Sequence, residues 1–153
     1  MIKTLFYFVQ HCADKVASYL PDPLLLVMRL YWGWQFFVTG KGKLLNLDQT
    51  AEFFATLNLP LPKLQALLAG STECFGGVLL AIGLFSRLVS VPLMFTMIVA
   101  YLTAHLDVVK GIFEDSDSFV SAPPFLFLLT SVIVFTFGPG RFSVDGLLNK
   151  RNK

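Results

Sequence analysis

Residues 64–84 read LQALLAGSTECFGGVLLAIGL, with a single charged side chain, Glu73, near the middle. A helix of about 20 residues rising 1.5 Å per residue spans roughly 30 Å, the thickness of a bilayer's hydrocarbon core. An ionised glutamate at that depth costs at least about 2.5 kcal/mol unless it is paired, protonated or hydrated. At 3.6 residues per turn, Ala66, Gly70, Glu73, Gly77, Leu80 and Leu84 share one stripe. Glycines on the carboxylate's own face let another helix approach closely, as at small-residue membrane interfaces. The stretch therefore reads as a membrane span that turns Glu73 into a helix bundle.

The rest of the chain agrees with a membrane setting. Of 153 residues, 55% are hydrophobic and only 14% charged, against about a quarter charged in soluble domains; mean hydropathy is +0.67. The charges are segregated between apolar runs. A net charge of +2, with no basic stretch interleaved with aromatics, excludes nucleic acid as an expected partner. Cys12 and Cys74 are far apart and form no CxxC, so neither a thiol relay nor a disulfide between them is expected, and their role stays open. The N-terminus lacks the small-residue cleavage site of a signal peptide.

Residues 1–20 read as an amphipathic helix lying in the membrane interface. Ile2, Leu5, Phe6, Val9, Ala13, Val16 and Leu20 fall on one face, and Lys3, Thr4, Tyr7, Gln10, His11, Asp14, Lys15 and Ser18 on the other. Asp22 followed by Pro23 reads as an N-cap and first helical position, opening a span over 23–40 in which Arg29, Gly33, Phe36 and Gly40 share a stripe. Residues 41–63 are read as leaving the membrane, with a short helix from Asp48 to Leu57 over the bundle mouth and Asp48 as its N-cap. Residues 64–84 and 88–106 form an antiparallel hairpin about Ser86 and Arg87. A polar loop over 107–122 precedes a fourth span, opened by Pro123 and Pro124 and closed by Gly138-Pro139-Gly140. The expected architecture is an all-α membrane protein: an interfacial helix over 1–20, a four-helix antiparallel bundle over 21–145, and a basic cytoplasmic tail over 146–153. Four spans put Lys3, Lys15, Arg87, Arg141, Lys150, Arg151 and Lys153 on one side and Lys41, Lys43, Lys63 and Lys110 on the other. That bias orients the termini toward the cytoplasm of a bacterial inner membrane.

With these residues in place the chain resembles the DoxX family. The likeness rests on Arg29-Leu30, Gly33, Phe36 and Gly40-Lys41-Gly42-Lys43-Leu44, then Glu73, Gly76-Gly77, Gly83 and Arg87-Leu88, then His105, and finally Gly138 through Asp145. Thr39 departs from the pattern, where many relatives carry His. The resemblance implies a four-helix membrane bundle. It links the chain to a family named after a small subunit of a quinol-oxidising complex, with other relatives tied to oxidative stress, metal handling or peptide modification.

Among candidate site residues, Arg29 and Glu73 are expected to meet at the bundle centre, as a proton-sensitive or headgroup-binding site or as a buried ion pair fixing helix register. Lys41, Lys43, His105 and Tyr101 gather near the outer mouth, where they suit an anion or quinone carbonyls. Gly33, Gly40, Gly70 and Gly77 serve helix packing. No metal-ligand spacing, catalytic triad, phosphate loop or haem-ligating pair is present in the sequence. Two function classes remain. One is an accessory subunit of a quinone-linked redox system that borrows its electron carrier from a membrane or peripheral oxidoreductase. The other is a non-redox scaffold or a small-solute or metal-handling component. Self-association is compatible with both.

Overall fold

The computed structural model describes residues 2–151, excluding the side chains of residues 2–6, 8, 9, 12 and 151. The described residues form helices α1 (Ile2–Tyr19), α2 (Pro21–Leu45), α3 (Leu47–Thr56), α4 (Pro62–Ile82), α5 (Ser86–Ala104), α6 (Leu106–Lys110), α7 (Ser116–Ser121), α8 (Pro124–Phe137) and α9 (Val144–Arg151), with no strand among them. Two of these helices, α4 and α5, are long and apolar enough to cross a membrane. Helix α2 is longer but carries Asp22, Arg29, Lys41 and Lys43, and α8 has only 14 residues.

The core is a pairing of α2 with α4 on one side and α5 with α8 on the other. Helix α2 buries Leu25, Arg29, Gly33, Phe36 and Gly40, one residue per helical turn. Helix α4 answers with Ala66, Gly70, Glu73, Gly76, Gly77 and Leu80. The axes approach so closely that a Cβ on Gly77 would meet the Gly33 carbonyl oxygen at 2.6 Å, and one on Gly40 would meet the Cys74 amide nitrogen at 2.3 Å. Phe36 and Leu80 join Val89, Leu93, Met97 and Val134 in the apolar core that links the two pairs. The outward faces are lined by large exposed apolar residues, among them Trp34, Phe75, Leu88, Phe95 and Phe135. Such a surface suits lipid rather than water.

Several boundaries differ from the sequence reading, each for a local reason. Helix α2 starts at Pro21 and runs on to Leu45. Asp22 lies inside its first turn, and its carboxylate accepts from the Arg141 amide at 2.7 Å and pairs with Arg141 Nε at 3.4 Å. Gly40 does not end the helix, because it is a contact point with α4, so Lys41 and Lys43 are helical. Helix α3 starts one residue earlier than expected, and Asp48 does not cap it: its Oδ1 instead accepts from Lys63 Nζ at 2.7 Å, tying α3 to the start of α4. The polar loop over 107–122 holds the short helices α6 and α7, and Asp115 caps α7 through the Ser118 amide at 3.1 Å.

The described part of the expected basic tail, residues 146–151, continues helix α9, and the residues just before it are docked. Asp145 accepts from the Phe85 and Ser86 amides, both at 2.9 Å, and so caps α5, while its own amide donates to the Gly83 carbonyl at 3.0 Å. Gly83 and Phe85 both take the left-handed conformation (φ +73° and +50°) to make this turn. That costs nothing for glycine but is strained for phenylalanine. Cys74 is a free, half-buried thiol, and the Cys12 side chain lies outside the described residues, as does most of the apolar face read for residues 1–20.

Candidate functional site

Arg29 and Glu73 are both buried, at 0% and 1% exposure, yet they do not meet. The glycine contacts set an antiparallel register in which Arg29 lies level with Ala81, eight residues or about 12 Å along α4 from Glu73. Arg29 donates to the Ala81 carbonyl at 3.4 Å and to the Phe142 carbonyl at 2.7 Å, and Asp145 is the acid that acts on its charge. It therefore joins α2 to the end of α4 and to the docked C-terminal segment. The expected Arg29–Glu73 pair is replaced by two separate arrangements at opposite ends of the α2–α4 contact.

The partner of Glu73 is Lys43, whose Nζ donates to Glu73 Oε2. Gly70 makes room for it: a Cβ there would stand 3.0 Å from the Leu44 side chain and 3.3 Å from Lys43 Cβ. A signal for this pairing exists in the sequence. Lys43 is 14 residues after Arg29, close to four full turns, and so lies on the same stripe once the helix is continued past Gly40. Ending the span at Gly40 hid it. Lys41, two residues away, points elsewhere; it is exposed, with Nζ 6.0 Å from the Phe37 ring centroid.

Lys43 and Glu73 open onto a cavity of about 530 Å³ that is partly open to the outside. Thr39 and Lys43 of α2 and Gln65, Thr72 and Glu73 of α4 supply its polar wall. Phe53 and Phe54 of α3, with Leu57 just beyond its end, cover one side, α5 contributes residues from Pro92 to Ala104, and Pro123, Pro124 and Phe127 close the α8 side. His105 also stands in the wall, at the junction of α5 and α6. Tyr101 does not: its hydroxyl donates to the Phe119 carbonyl at 2.9 Å and its ring stacks on Phe119, which holds α7 against α5. Of the four residues expected at the outer mouth, the fold brings Lys43 and His105 to the cavity and sends Lys41 and Tyr101 away from it. The glycines Gly33, Gly40, Gly70 and Gly77 all lie in the α2–α4 contact.

Glu73 Oε1 is buried and has no hydrogen-bond partner in the protein. An unpaired buried acceptor is costly, about 1–3 kcal/mol. The cavity is thus a largely apolar hollow with one half-satisfied ion pair in its wall, the general form of a small-molecule site.

The DoxX family model matches residues 24–106, more than half of the chain. The chain belongs to the DoxX family. The matched segment holds Arg29, Lys43, Glu73 and His105, and so most of the cavity wall. This DoxX-family chain is 32% identical over 128 residues to CatD of Bacillus subtilis, named as a candidate oxidoreductase, across 84% of this chain and 89% of CatD. It is 29% identical over 136 residues to the membrane protein Rv3486 of Mycobacterium tuberculosis, covering 84% and 83% of the two chains. Over 94 residues it is 31% identical to the inner membrane protein YphA of Escherichia coli, covering 61% and 62%. No solved structure matches the chain. The family and these relatives identify a membrane protein.

Proposed function

We propose that this chain is an accessory membrane subunit of a quinone-linked redox system, and that the cavity beside Lys43 and Glu73 receives the quinone headgroup. The observation that carries the reading is the cavity itself, whose largely apolar wall suits an isoprenoid tail and holds the Lys43–Glu73 pair. Lys43 and His105 supply donors to headgroup oxygens, and Glu73, its charge held by Lys43, stands where a proton would be exchanged with a headgroup. Electrons come from a partner oxidoreductase. The name given to CatD points toward the same class.

In this reading α2, α4, α5 and α8 cross the inner membrane, α1 lies in the interface, and both termini face the cytoplasm. Val16 and Leu20, exposed at 61% and 57%, would then rest in the headgroup layer. Helix α8 spans only about 21 Å, a mismatch that local thinning of the bilayer accommodates. The cavity then opens at the outer end, away from the α4–α5 turn.

Protein purified in mild detergent is expected to carry quinone in its organic extract, and the protein in lipid nanodiscs to bind added quinone saturably. Lys43→Met and His105→Leu should each weaken that binding. If neither retained quinone nor saturable binding is found, the scaffold or solute-handling reading takes its place.

A further inference from the structure

We infer that a second hollow, between the end of α1, the first turn of α2 and the C-terminal segment, binds the phosphodiester headgroup of an anionic phospholipid. It lies at the other end of α2 from Lys43, and the inference is independent of the quinone reading. The hollow measures about 530 Å³, and Arg141 and Lys150 stand in its wall with Tyr19, Phe142 and Leu147. The fold fixes where these side chains start. The Arg141 amide donates to Asp22 Oδ1 at 2.7 Å, which pins the segment to α2. Leu147 and Lys150, three residues apart, share one face of α9, and Asp145 holds α9 against the α4–α5 turn.

The polar groups left over in this hollow are donors. Asp22 also lines it, but one carboxylate oxygen accepts from the Arg141 amide and the other pairs with Arg141 Nε at 3.4 Å. The Ser143 hydroxyl donates to the Gly140 carbonyl and accepts from the Gly146 amide. Arg141 keeps its two terminal nitrogens, and Lys150 and Tyr19 have no polar partner among the described residues. Two cations against one carboxylate leave a positive excess, so the complementary group is an anion with several acceptor oxygens. Phosphate has that form, and a guanidinium binds it through two parallel hydrogen bonds. The rest of the wall decides the source. Phe142, Leu147 and Tyr19 are exposed large hydrophobic residues, as are Leu20 and Leu148 beside them in the chain. The hollow also lies at the end where α4 stops and α5 starts, and these are the helices long enough to cross a membrane. That is the depth of lipid phosphates, where basic pockets take anionic headgroups. A free phosphate would use the donors and leave the apolar edge uncovered, so the occupant is a lipid.

The test titrates the full chain in a neutral detergent with three probes and counts bound copies by native mass spectrometry. The probes are dioctanoyl phosphatidylglycerol, dioctanoyl phosphatidylcholine and glycerophosphoglycerol, the first lipid's headgroup without its chains. One copy of phosphatidylglycerol is expected to bind at least about tenfold more tightly than either of the others. Equal binding of phosphatidylcholine would show that the charge is not read, and equal binding of the bare headgroup would make this a site for free phosphate esters; either result overturns the proposal. Lys150→Gln removes a side chain that holds nothing in the fold, and it should weaken the first phosphatidylglycerol by about fivefold. Lys110→Gln, an exposed change at the far end of α5, should leave it unaltered. Undiminished binding in Lys150→Gln, or an equal loss in Lys110→Gln, would place the lipid elsewhere and overturn the site. Arg141→Gln should weaken binding further than Lys150→Gln does, since it removes the bidentate donor. Should that variant not fold, Lys150→Gln and the three probes decide without it.

Discussion

At the scale of single residues, the Glu73 carboxylate is almost wholly enclosed while the Lys43 side chain keeps 30% of its surface, and that asymmetry decides what each substitution costs. Lys43→Met leaves a carboxylate stranded in an apolar wall and is expected to destabilise by about 3–5 kcal/mol. Glu73→Leu leaves a lysine whose stem can reorient its head toward water, so its cost should be nearer about 1 kcal/mol. The double variant should regain most of what Lys43→Met loses. Unfolding followed in mixed micelles checks the order, and additive losses would show the two residues uncoupled. The glycines give a second residue-scale contrast. Gly77→Ala drives a methyl into the Gly33 carbonyl and the Phe37 amide, both 2.6 Å away, whereas a Cβ on Gly42 meets nothing within 4 Å. Gly42→Ala is therefore expected to stabilise by about 0.5–1 kcal/mol through helix propensity. Gly77→Ala should lower the melting temperature sharply in the same assay.

Among the elements, the C-terminal segment is held by contacts from three directions: Arg29 to Phe142, Asp22 to Arg141, and Asp145 to the first turn of α5. Asp145→Ala removes an N-cap with two bonds and should cost about 1–2 kcal/mol. Because the same change frees α9, limited proteolysis should cut within residues 141–151 faster than in the wild type. Helix α3 packs along α4 and is tied to its start by the exposed Asp48–Lys63 pair. The hydrogen bond from Lys63, aided by its charge, holds the Asp48 carboxyl below its ordinary value. A carboxyl lowered in the folded state contributes stability above its ordinary titration range and loses it as pH falls through the lowered value. Both side chains are solvated, so the effect on global stability is slight. The checkable consequence is local: Lys63→Ala should return the Asp48 titration, followed by NMR, to the ordinary carboxylate range.

For the whole molecule, the orientation proposed from the basic bias places residues 107–117 outside and residues 141–151 within the cytoplasm. Single cysteines introduced into 107–117, in a background lacking Cys12 and Cys74, should react with a membrane-impermeant maleimide in intact cells. Cysteines in the C-terminal segment should react only after permeabilisation, and the reverse pattern would invert the topology. The cavity opens at the end where α3 lies across α4, so the same experiment locates its mouth. An outside mouth would suit exchange with the outer leaflet.

What the amino-acid order determined by itself is the helical class, the membrane setting and the family. These follow from apolar runs of bilayer length, from charges kept between them, and from motifs spaced along most of the chain. Helical periodicity also marks the buried stripe of α2, because a face one residue wide repeats at 3.6 whatever the helix packs against. Periodicity carries no information about depth. Which residue lies level with which was decided by Gly33, Gly40, Gly70 and Gly77, whose lack of Cβ lets α2 and α4 close to backbone contact in one register. That register is tertiary: it carried Arg29 to Ala81 and the C-terminal segment, brought Lys43 to Glu73 once α2 ran on past Gly40, and left the cavity beside them. The docking of residues 141–151 was equally invisible in a basic stretch, since it depends on two amides at the α4–α5 turn that only the folded chain presents to Asp145.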